Sequence, residues 1–294
     1  ALKEMHLTPE DIQLIQNDTK TCPDTGMAGA SRSLYMDGNA TIIAANKLLA
    51  AMRKEDGTLR TYDEMKAEGI ETKYLGRYET NTTPGLCRLD PNTGIGDPTP
   101  AFTYCLNLAE VEVDTKTGKT TVLKFTCVDF VGRIGNIDAV NGQAYSGIMH
   151  GIGFALKEDY ADVKKHANMF GAGTSYIKDV PDDINLIHID GAISDGPFGS
   201  SGASEAFQAS GHCAVLNGIY NACGVRIHEI PALPEKVKAG LDAIAKGEKP
   251  YEPKKYFLGS DMYEELENIK ENPVQVGTQS FYVSLDDPTA ERPF

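Results

Sequence analysis

Residues 195–204 have the sequence DGPFGSSGAS, a loop rich in glycine and serine that leads into an apolar helix predicted over residues 203–222. A strand is predicted just before the loop, at residues 185–189, so the local order is strand, loop and helix. The first backbone N–H groups of a helix have no partner within it, and the helix dipole adds partial positive charge there. This stretch therefore predicts a fold of packed strands and helices, with a loop that is able to hold an anion.

The same order of elements occurs nearer the start of the chain. Alternating residues 12–17 (IQLIQN) predict a half-buried strand, a polar loop follows, and residues 39–52 have apolar side chains at helical spacing. A third candidate is the turn at residues 135–137, ahead of a helix predicted over residues 138–157. Three helix starts of this kind would suit one phosphate-bearing cofactor. Composition alone leaves a purely structural role open, because neither glycine-rich loop matches GxxxxGKS/T or GxGxxG.

The middle of the chain defines the fold class. Long β runs at residues 102–114 and 120–132 flank the turn TKTGK and predict a hairpin. The predicted helix over residues 138–157 has small and apolar side chains on all sides, and its glycines allow close approach of other backbones. These elements predict an α+β fold with mixed sheets and packed helices. We expect an α+β part with the first glycine-rich loop at residues 1–100, an α+β part with the hairpin, two buried helices and the loop DGPFGSSGAS at 101–245, and a charged tail at 246–294. A short helix is predicted near residues 62–67, a strand near residues 73–78, and short helical pieces, such as residues 261–270, in the tail.

Composition excludes several classes of protein. The 294 residues include 42 acidic and 28 basic side chains, for a formal net charge of −14, and 41% are hydrophobic. Such a chain has enough apolar residues for a core, while its charge repels nucleic acids and anionic lipid surfaces. No run approaches the roughly 20 apolar residues that span a bilayer, and the opening ALKEMHLTPE lacks the pattern of a signal peptide. We expect a cytoplasmic protein that binds neither nucleic acid nor membranes.

Cysteine and histidine residues are scattered and show neither CxxC nor HxxxH spacing. This spacing excludes a zinc site or an iron–sulfur cluster built from local ligands. Scattered thiols in a chain of this size indicate reduced core residues. We therefore predict no metal ligand among Cys22, Cys87, Cys105, Cys127, Cys213, Cys223, His6, His150, His166, His188, His212 and His228.

Glu205 directly follows GSSGAS, at the start of a helix whose next residues are apolar. An acidic side chain in the first helical turn interacts favourably with the helix dipole by about 0.3–1 kcal/mol, which is one reason for a glutamate here. The other reason is a general base in a partly dry site with many N–H donors. Gln143 is either an amide that reaches a cofactor or a helix residue that finds a backbone partner. The GxSxG elbow of serine hydrolases is absent, so the serines of the loop do not indicate a nucleophile.

Four parts of the chain carry a family resemblance. They are LTPEDIQLIQNDT with GMAGASRSLYMDGNA, AEVEVDTKTGKTTV, AVNGQAYSGIMHGIGFALKEDY and DGPFGSSGASEAFQASGHCAVLNGIYNACGVRIHEIPALPEKV. In this order they resemble the C-terminal molybdenum-cofactor domain of the xanthine oxidase family, and most closely its bacterial aldehyde oxidoreductases with molybdopterin cytosine dinucleotide. The resemblance covers residues 1 to about 245, and the tail has no counterpart in it.

The resemblance implies a role for each matching position. Glu205 matches the base that takes a proton from a metal-bound hydroxyl or water, whose oxygen then attacks the aldehyde carbon while hydride passes to the Mo=S group. The implied cofactor contacts are the backbone cradle of Ser200, Ser201, Gly202, Ala203 and Ser204, the cradle of Gly29, Ala30, Ser31, Arg32 and Ser33, and the pterin-lining positions Asn136, Ile137 and Gln143.

One position departs from the family pattern. The family has glycine before the glutamate, whereas Ser204 adds a hydroxyl here and removes freedom at positive φ. This departure leaves the geometry on the metal side of the loop and the choice of substrate open.

The resemblance also implies partners. Members of the family carry iron–sulfur clusters in other domains, and a preceding half of the molybdenum domain supplies further cofactor and substrate contacts. The chain resembles the last third of such an enzyme, so we expect it to be a fragment or subunit that is inactive and without cofactor alone. The complete enzyme would oxidise a small-molecule aldehyde to a carboxylic acid and would be able to form a homodimer.

Two alternatives remain at this point. The first is a non-catalytic module that keeps the fold and binds a nucleotide or an assembly partner. The second is a related molybdenum hydroxylase that acts on an N-heterocycle. Metal analysis, together with the release of CMP by acid, separates the module from the enzymes.

Overall fold

A computed structural model describes residues 3–16, 18–25, 28–79, 101–162, 164–248 and 268. The chain divides into two compact units, Ala1–Pro250 and Tyr251–Phe294, and all the helices and strands given below lie in the first. The predicted divisions after residues 100 and 245 stay predictions. The short helical pieces predicted in the tail near residues 261–270 lie, apart from Asn268, outside the described residues.

A three-stranded mixed sheet forms the centre of the first unit. The predicted hairpin is confirmed as β1 (Tyr104–Val113) and β2 (Thr120–Phe130), which pair antiparallel. The strand predicted at residues 185–189 is present as β3 (Asp183–His188), which pairs in parallel with β2 and gives the order β1-β2-β3. The parallel connection brings the ends of β2 and β3 to the same edge of the sheet. The predicted α+β class is therefore confirmed.

The inner face of the sheet carries the hydrophobic core. Phe125 and Cys127 are fully buried and pack against α3 (Ile137–Leu156), α4 (Ser204–Ala209) and α5 (Gly211–Cys223). The opposite face is apolar but exposed, because no described element covers its side chains there. These include Tyr104, Leu106, Leu108, Ile187 and the following Ile189.

Helix α3 confirms the prediction of close backbone contact. A Cβ added at Gly151 would lie 2.9 Å from the Cα of Gly211, and one at Gly147 would lie 2.5 Å from the Cβ of Phe207. The absence of these two side chains lets α4 and α5 pack directly on the backbone of α3. The prediction of a helix buried on all sides is wrong, since Tyr145 on this helix is about half exposed.

The single helix predicted over residues 203–222 is two helices. α4 ends before Ser210, and α5 begins at Gly211. Apolar periodicity does not show the break, because it depends on tertiary contacts: Gly211 packs on α3, and the Ser210 hydroxyl accepts a hydrogen bond of 2.9 Å from the amide of Asn107 on β1.

The remaining helices lie around this centre. The helix predicted at residues 39–52 begins earlier, as α1 (Ser33–Met52), and α2 (Tyr62–Ala67) has the predicted bounds. Thr61 and Glu64 form a capping box at the start of α2, in which each side chain binds the backbone N–H of the other. Helix α6 (Pro234–Ala245) completes a second apolar cluster with the end of α5. Short 3-10 turns occur at Pro9–Asp11, Ile177–Asp179 and Pro197–Gly199.

Two strand predictions are wrong. Residues 12–16 and 73–78 have no strand in the structure, although residues 12–16 have the alternating pattern. Ile12, Leu14 and Ile15 are exposed, and no described strand pairs with this segment. An alternating sequence forms a strand only where another strand accepts its backbone hydrogen bonds. Within the described ranges, no helix has the length and apolar character needed to cross a bilayer.

Candidate functional site

Three loops contribute the predicted site residues, and we name them in chain order. The first loop is residues 29–33, the second loop is residues 131–136, and the third loop is residues 195–204. The first loop precedes α1, the second joins β2 to α3, and the third precedes α4. Hydrogen bonds and close backbone contacts join the third loop to each of the other two.

The first loop has an unusual backbone. Ala30 and Ser31 have φ values of 53° and 54°, in the left-handed region that residues with a Cβ avoid. Such a conformation costs about 1–2 kcal/mol per residue, so other contacts must hold it. The chain enters α1 immediately afterwards, and Tyr35 in its first turn is buried against Tyr78. Burial, followed by the Tyr78 hydroxyl, raises the pKa of Tyr35, which keeps this side chain neutral.

Ser31 holds Glu205 by two reciprocal hydrogen bonds. The Ser31 hydroxyl donates to Oε2 of Glu205 over 2.6 Å. The hydroxyl oxygen of Ser31 also accepts a hydrogen bond of 2.9 Å from the backbone N–H of Glu205. One hydroxyl thus serves as donor to the carboxylate and as acceptor at the first turn of α4. These bonds fix the Glu205 carboxylate while it remains exposed to solvent.

Gly202 brings the third loop into direct contact with the first. A Cβ added at Gly202 would lie 1.7 Å from the carbonyl oxygen of Ser31, so no other residue fits there without movement of a loop. Farther along the chain, Asn39 on α1 donates a hydrogen bond of 2.9 Å to the carbonyl of Asp195. The two loops therefore meet along their backbones as well as through the Ser31 side chain.

The second loop joins the third by a short ladder of hydrogen bonds. Arg133 N–H donates to the Gly199 carbonyl over 2.8 Å, and Ser201 N–H donates to the Val131 carbonyl over 3.1 Å. The Ser200 hydroxyl donates to the Arg133 carbonyl over 2.6 Å. Ser200 and Ser201 are both buried, and the hydroxyl of Ser200 is used within the protein itself.

The start of α3 carries the remaining predicted residues. The Asn136 side chain caps the helix by accepting from Ala139 N–H over 3.0 Å, and Ile137 beside it is half exposed. Gln143 lies two turns farther along the helix, exposed, and its amide has no hydrogen bond to any residue that the structure describes. The structure therefore brings all the predicted residues except Gln143 into the three joined loops or their ends, and Gln143 makes no side-chain hydrogen bond to the described residues among them.

Ser204 does not need the glycine freedom expected from the family pattern. It is the first residue of α4, and it is not among the described residues with positive φ. The freedom at positive φ that serine lacks is therefore not needed at this position, because a helical residue has negative φ. In the third loop it is Phe198 and Gly199 that have positive φ, and Phe198 is exposed.

Sequence reasoning missed a buried polar group behind these loops. Asp129, near the end of β2, is 1% exposed and lies 2.7 Å from the imidazole of His188. A charged residue at an inward position of a strand, in phase with Phe125 and Cys127, was the available signal. Burial raises the pKa of Asp129 above its usual range, and the contact with His188 lowers it by less.

No cluster of three or more His, Cys, Asp or Glu side chains suited to a metal ion occurs in the described part of the chain. The described cysteines are free thiols, namely Cys22, Cys105, Cys127, Cys213 and Cys223. Within the described residues, the site offers a ligand the carboxylate of Glu205, the backbone groups of the loops, and the exposed guanidinium groups of Arg32 and Arg133.

Comparison with known proteins gives consistent matches. Residues 1–181 match the model of a family described as a molybdopterin cofactor-binding domain. The chain is 42% identical to an aldehyde oxidoreductase of Megalodesulfovibrio gigas over 243 residues, which are 83% of this chain and 26% of that protein. It is 28% identical over 259 residues to a probable hypoxanthine oxidase of Escherichia coli, covering 83% of this chain and 27% of that protein.

A solved structure matches as well. The crystal structure of the aldehyde oxidoreductase from Desulfovibrio desulfuricans is similar with a TM-score of 0.75 and 45% identity, over 81% of this chain and 26% of that one. The chain thus spans about a quarter of the length of the relatives it matches.

Proposed function

Because this chain belongs to the molybdopterin cofactor-binding family, within the molybdenum hydroxylases of the xanthine oxidase type, we propose that it supplies the base and part of the cofactor site of an aldehyde oxidoreductase. The most similar relatives given above carry that name, at 42% and 45% identity. The alternative of an N-heterocycle as substrate has support from the probable hypoxanthine oxidase at 28% identity, and we favour the aldehyde on this difference.

The donor groups of the three loops fit an anionic cofactor. The backbone N–H groups of Gly202 and Ala203 have no acceptor among the described residues, and they lie beside the contact with Ser31. Arg32 and Arg133 are exposed on the first and second loops. N–H donors and guanidinium groups bind phosphate and pterin oxygens, and they need no positive net charge of the whole chain. We propose that these groups hold molybdopterin cytosine dinucleotide, with Asn136, Ile137 and Gln143 along its side.

Glu205 is the proposed base, and its contact with Ser31 is the observation that carries the proposal. The hydrogen bond from Ser31 occupies Oε2, whereas Oε1 has no hydrogen bond to any described residue. We propose that Oε1 accepts the proton, since it is the atom of the carboxylate left open. The hydrogen bond from Ser31 holds the carboxylate in one orientation, so the base loses less conformational freedom when it accepts a proton.

When bound, the molybdenum cofactor supplies the redox centre and the oxygen that the substrate receives. The contribution of this chain is to hold the cofactor by backbone donors and to keep a carboxylate at the meeting point of the first and third loops. The aldehyde would bind beside Glu205, with its other contacts from outside this chain.

The remainder of the enzyme is part of the proposal. The relatives are about four times as long as the matched region, so further domains or subunits, including iron–sulfur domains, would complete the catalytic assembly. The exposed apolar face of the sheet, with Tyr104, Leu106 and Leu108, fits a chain that packs against such domains. A homodimer of the complete enzyme and a cytoplasmic location also belong to this proposal.

Glu205→Gln in the complete enzyme tests the base directly. We expect turnover of an aldehyde to be lost, while the molybdenum and the CMP released by acid stay at wild-type levels, because the amide keeps the shape but cannot accept the proton. Glu235→Gln is the matched control, since Glu235 also lies in the first turn of a helix and loses only its interaction with the dipole.

Three outcomes of this experiment distinguish the possible roles of Glu205 and of the site. Retained activity of Glu205→Gln would exclude Glu205 as the base. An equal loss of turnover in Glu205→Gln and Glu235→Gln would indicate that Glu205 acts only through its interaction with the helix dipole. Absence of molybdenum and CMP from the wild-type assembly would favour a non-catalytic module.

A further inference from the structure

We infer that Asp129, His188 and Asn141 form a positioning network that holds the second and third loops at the spacing the candidate site requires. None of the three residues belongs to the three loops themselves. The inference deepens the proposed function and rests on it only for the cofactor measurement below.

The network joins three elements by two hydrogen bonds. Nδ1 of His188, the last residue of β3, lies 2.7 Å from Oδ2 of Asp129 on β2. Nε2 of the same ring lies 2.8 Å from Oδ1 of Asn141 on α3. Asp129 and His188 are also register partners in the parallel pair of strands. One imidazole thus connects the sheet to the helix.

The hydrogen-bond pattern defines how the imidazole is oriented. An amide oxygen only accepts hydrogen bonds, so the ring donates from Nε2 to the Asn141 carbonyl. Nδ1 makes the second hydrogen bond of the ring, with Oδ2 of Asp129. Each of the three residues therefore has one defined orientation, which is the property a positioning group needs.

The network has a cost in folding free energy, because it buries the carboxyl group of Asp129. Asp129 is 1% exposed, and its second oxygen, Oδ1, is buried with no hydrogen-bond partner in the described part of the protein. Burying a carboxylate that is only half satisfied is less favourable than packing apolar side chains of the same size. A buried polar group of this kind gains a unique arrangement rather than stability, and here the arrangement concerns the loops.

The positions of the three residues in the chain show which loops the network holds in place. Asp129 lies two residues before Val131, whose carbonyl accepts the N–H of Ser201 in the third loop. His188 ends the strand that leads into the third loop, and Asn141 lies on α3, five residues after the cap Asn136. The network therefore fixes the two ends of the second loop and the entry to the third, directly behind the Arg133 and Ser200 contacts.

Amide hydrogen exchange of the 294-residue chain tests the network without any cofactor. We compare Asn141→Leu, which removes the link to α3 but keeps the Asp129–His188 pair, with His188→Phe, which removes both hydrogen bonds, and His188→Gln, which can restore one. We expect exchange in residues 131–136 and 191–203 to rise about tenfold in His188→Phe and less in Asn141→Leu, consistent with hydrogen bonds of ordinary strength. His188→Gln should be closer to wild type than His188→Phe.

A matched control separates local positioning from general weakening. Lys157 and Asp179 form a hydrogen-bonded ion pair of 2.6 Å near the other end of α3, and Asp179→Asn should leave exchange in both loops at the wild-type rate. Faster exchange in the two loops with unchanged β1 and α5 supports the inference. Unchanged loops in Asn141→Leu and His188→Phe overturn it, and so does a uniform rise across all elements, which is the result of a purely structural role.

The complete enzyme gives a second readout. We expect Asn141→Leu to lower the molybdenum and CMP content per chain, while Asp179→Asn does not. If the wild-type enzyme holds neither, the proposed function fails, but loop exchange still decides whether the network positions the loops. If the wild-type enzyme holds both and Asn141→Leu keeps both while its loops exchange faster, the step from loop position to cofactor binding is overturned.

Discussion

Ser31 and Glu205 are separated by 174 positions in the chain, and their side chains make a hydrogen bond of 2.6 Å. The same serine oxygen accepts the backbone N–H of Glu205 over 2.9 Å, so the pair is joined twice. Ser31 also has a positive φ, which costs about 1–2 kcal/mol. The two hydrogen bonds hold the first loop against the third.

Ser31→Ala should reduce turnover in the complete enzyme without removing it. The change takes away a hydrogen bond to a charged group, which contributes about 1.5–3 kcal/mol, so kcat should fall roughly 10- to 100-fold. KM for the aldehyde should change little, because Ser31 has no proposed contact with the substrate. Steady-state kinetics of the variant check both values, and Thr41→Ala is the control, since this exposed hydroxyl on α1 donates only to the carbonyl of Asp37. An unchanged kcat would show that Glu205 does not depend on this contact.

Gly202→Ala should separate the first and third loops. Its Cβ would lie 1.7 Å from the Ser31 carbonyl oxygen, a distance that no backbone tolerates, so the loops must move. We expect a loss of stability of about 1–3 kcal/mol, and loss of the Ser31–Glu205 bonds. Urea unfolding of the chain measures the first, and a crystal structure of the variant shows the second.

Gly142→Ala is the matched control for that substitution. A Cβ at Gly142 on α3 meets no atom within 4 Å, so alanine should stabilise the helix by about 0.5–1 kcal/mol. Equal effects of the two alanines would contradict the close contact at Gly202.

The pH dependence of stability should reveal the buried Asp129. Burial raises its pKa above the ordinary value of 3.8, and the contact with His188 lowers it by less. Between the ordinary and the raised value the folded state binds more protons than the unfolded state, so the contribution of Asp129 to stability falls as pH rises. In Asp129→Asn this decline is absent. Urea unfolding of both proteins between about pH 4 and pH 8 checks the difference.

The pH dependence of stability that we expect from Asp179 has the opposite sign to that from Asp129. Burial alone would raise its pKa, but the hydrogen bonds from Lys157 and from the backbone of Tyr176 outweigh burial and lower it below 3.8. Its contribution is therefore present above pH 3.8 and is lost as pH falls through the lowered value. Asp179→Asn should lower stability at neutral pH and lose this effect in acid. The same trend in both variants would show that Asp129 is not destabilised by burial.

Local sequence patterns predicted the secondary structure where a strand or helix has its partner close by in the chain. The hairpin of β1 and β2 needs only alternation and a glycine turn, and α2 needs only its capping box, so both were predicted correctly. Residues 12–16 have the same alternation as a strand but remain unpaired in the structure, since pairing depends on a distant strand. The break between α4 and α5 also depends on a distant residue, Gly151 of α3.

The sequence by itself determined the family, the fold class and the identity of the groups that the site offers, because long motifs and glycine-rich loops before helices are local features. Only the tertiary structure decided which of these groups meet. It joined Ser31 to Glu205 and the second loop to the third, and it placed the buried pair of Asp129 and His188 behind them. The physical reason is that hydrogen bonds and close backbone contacts act over about 3 Å in space, whatever the separation along the chain.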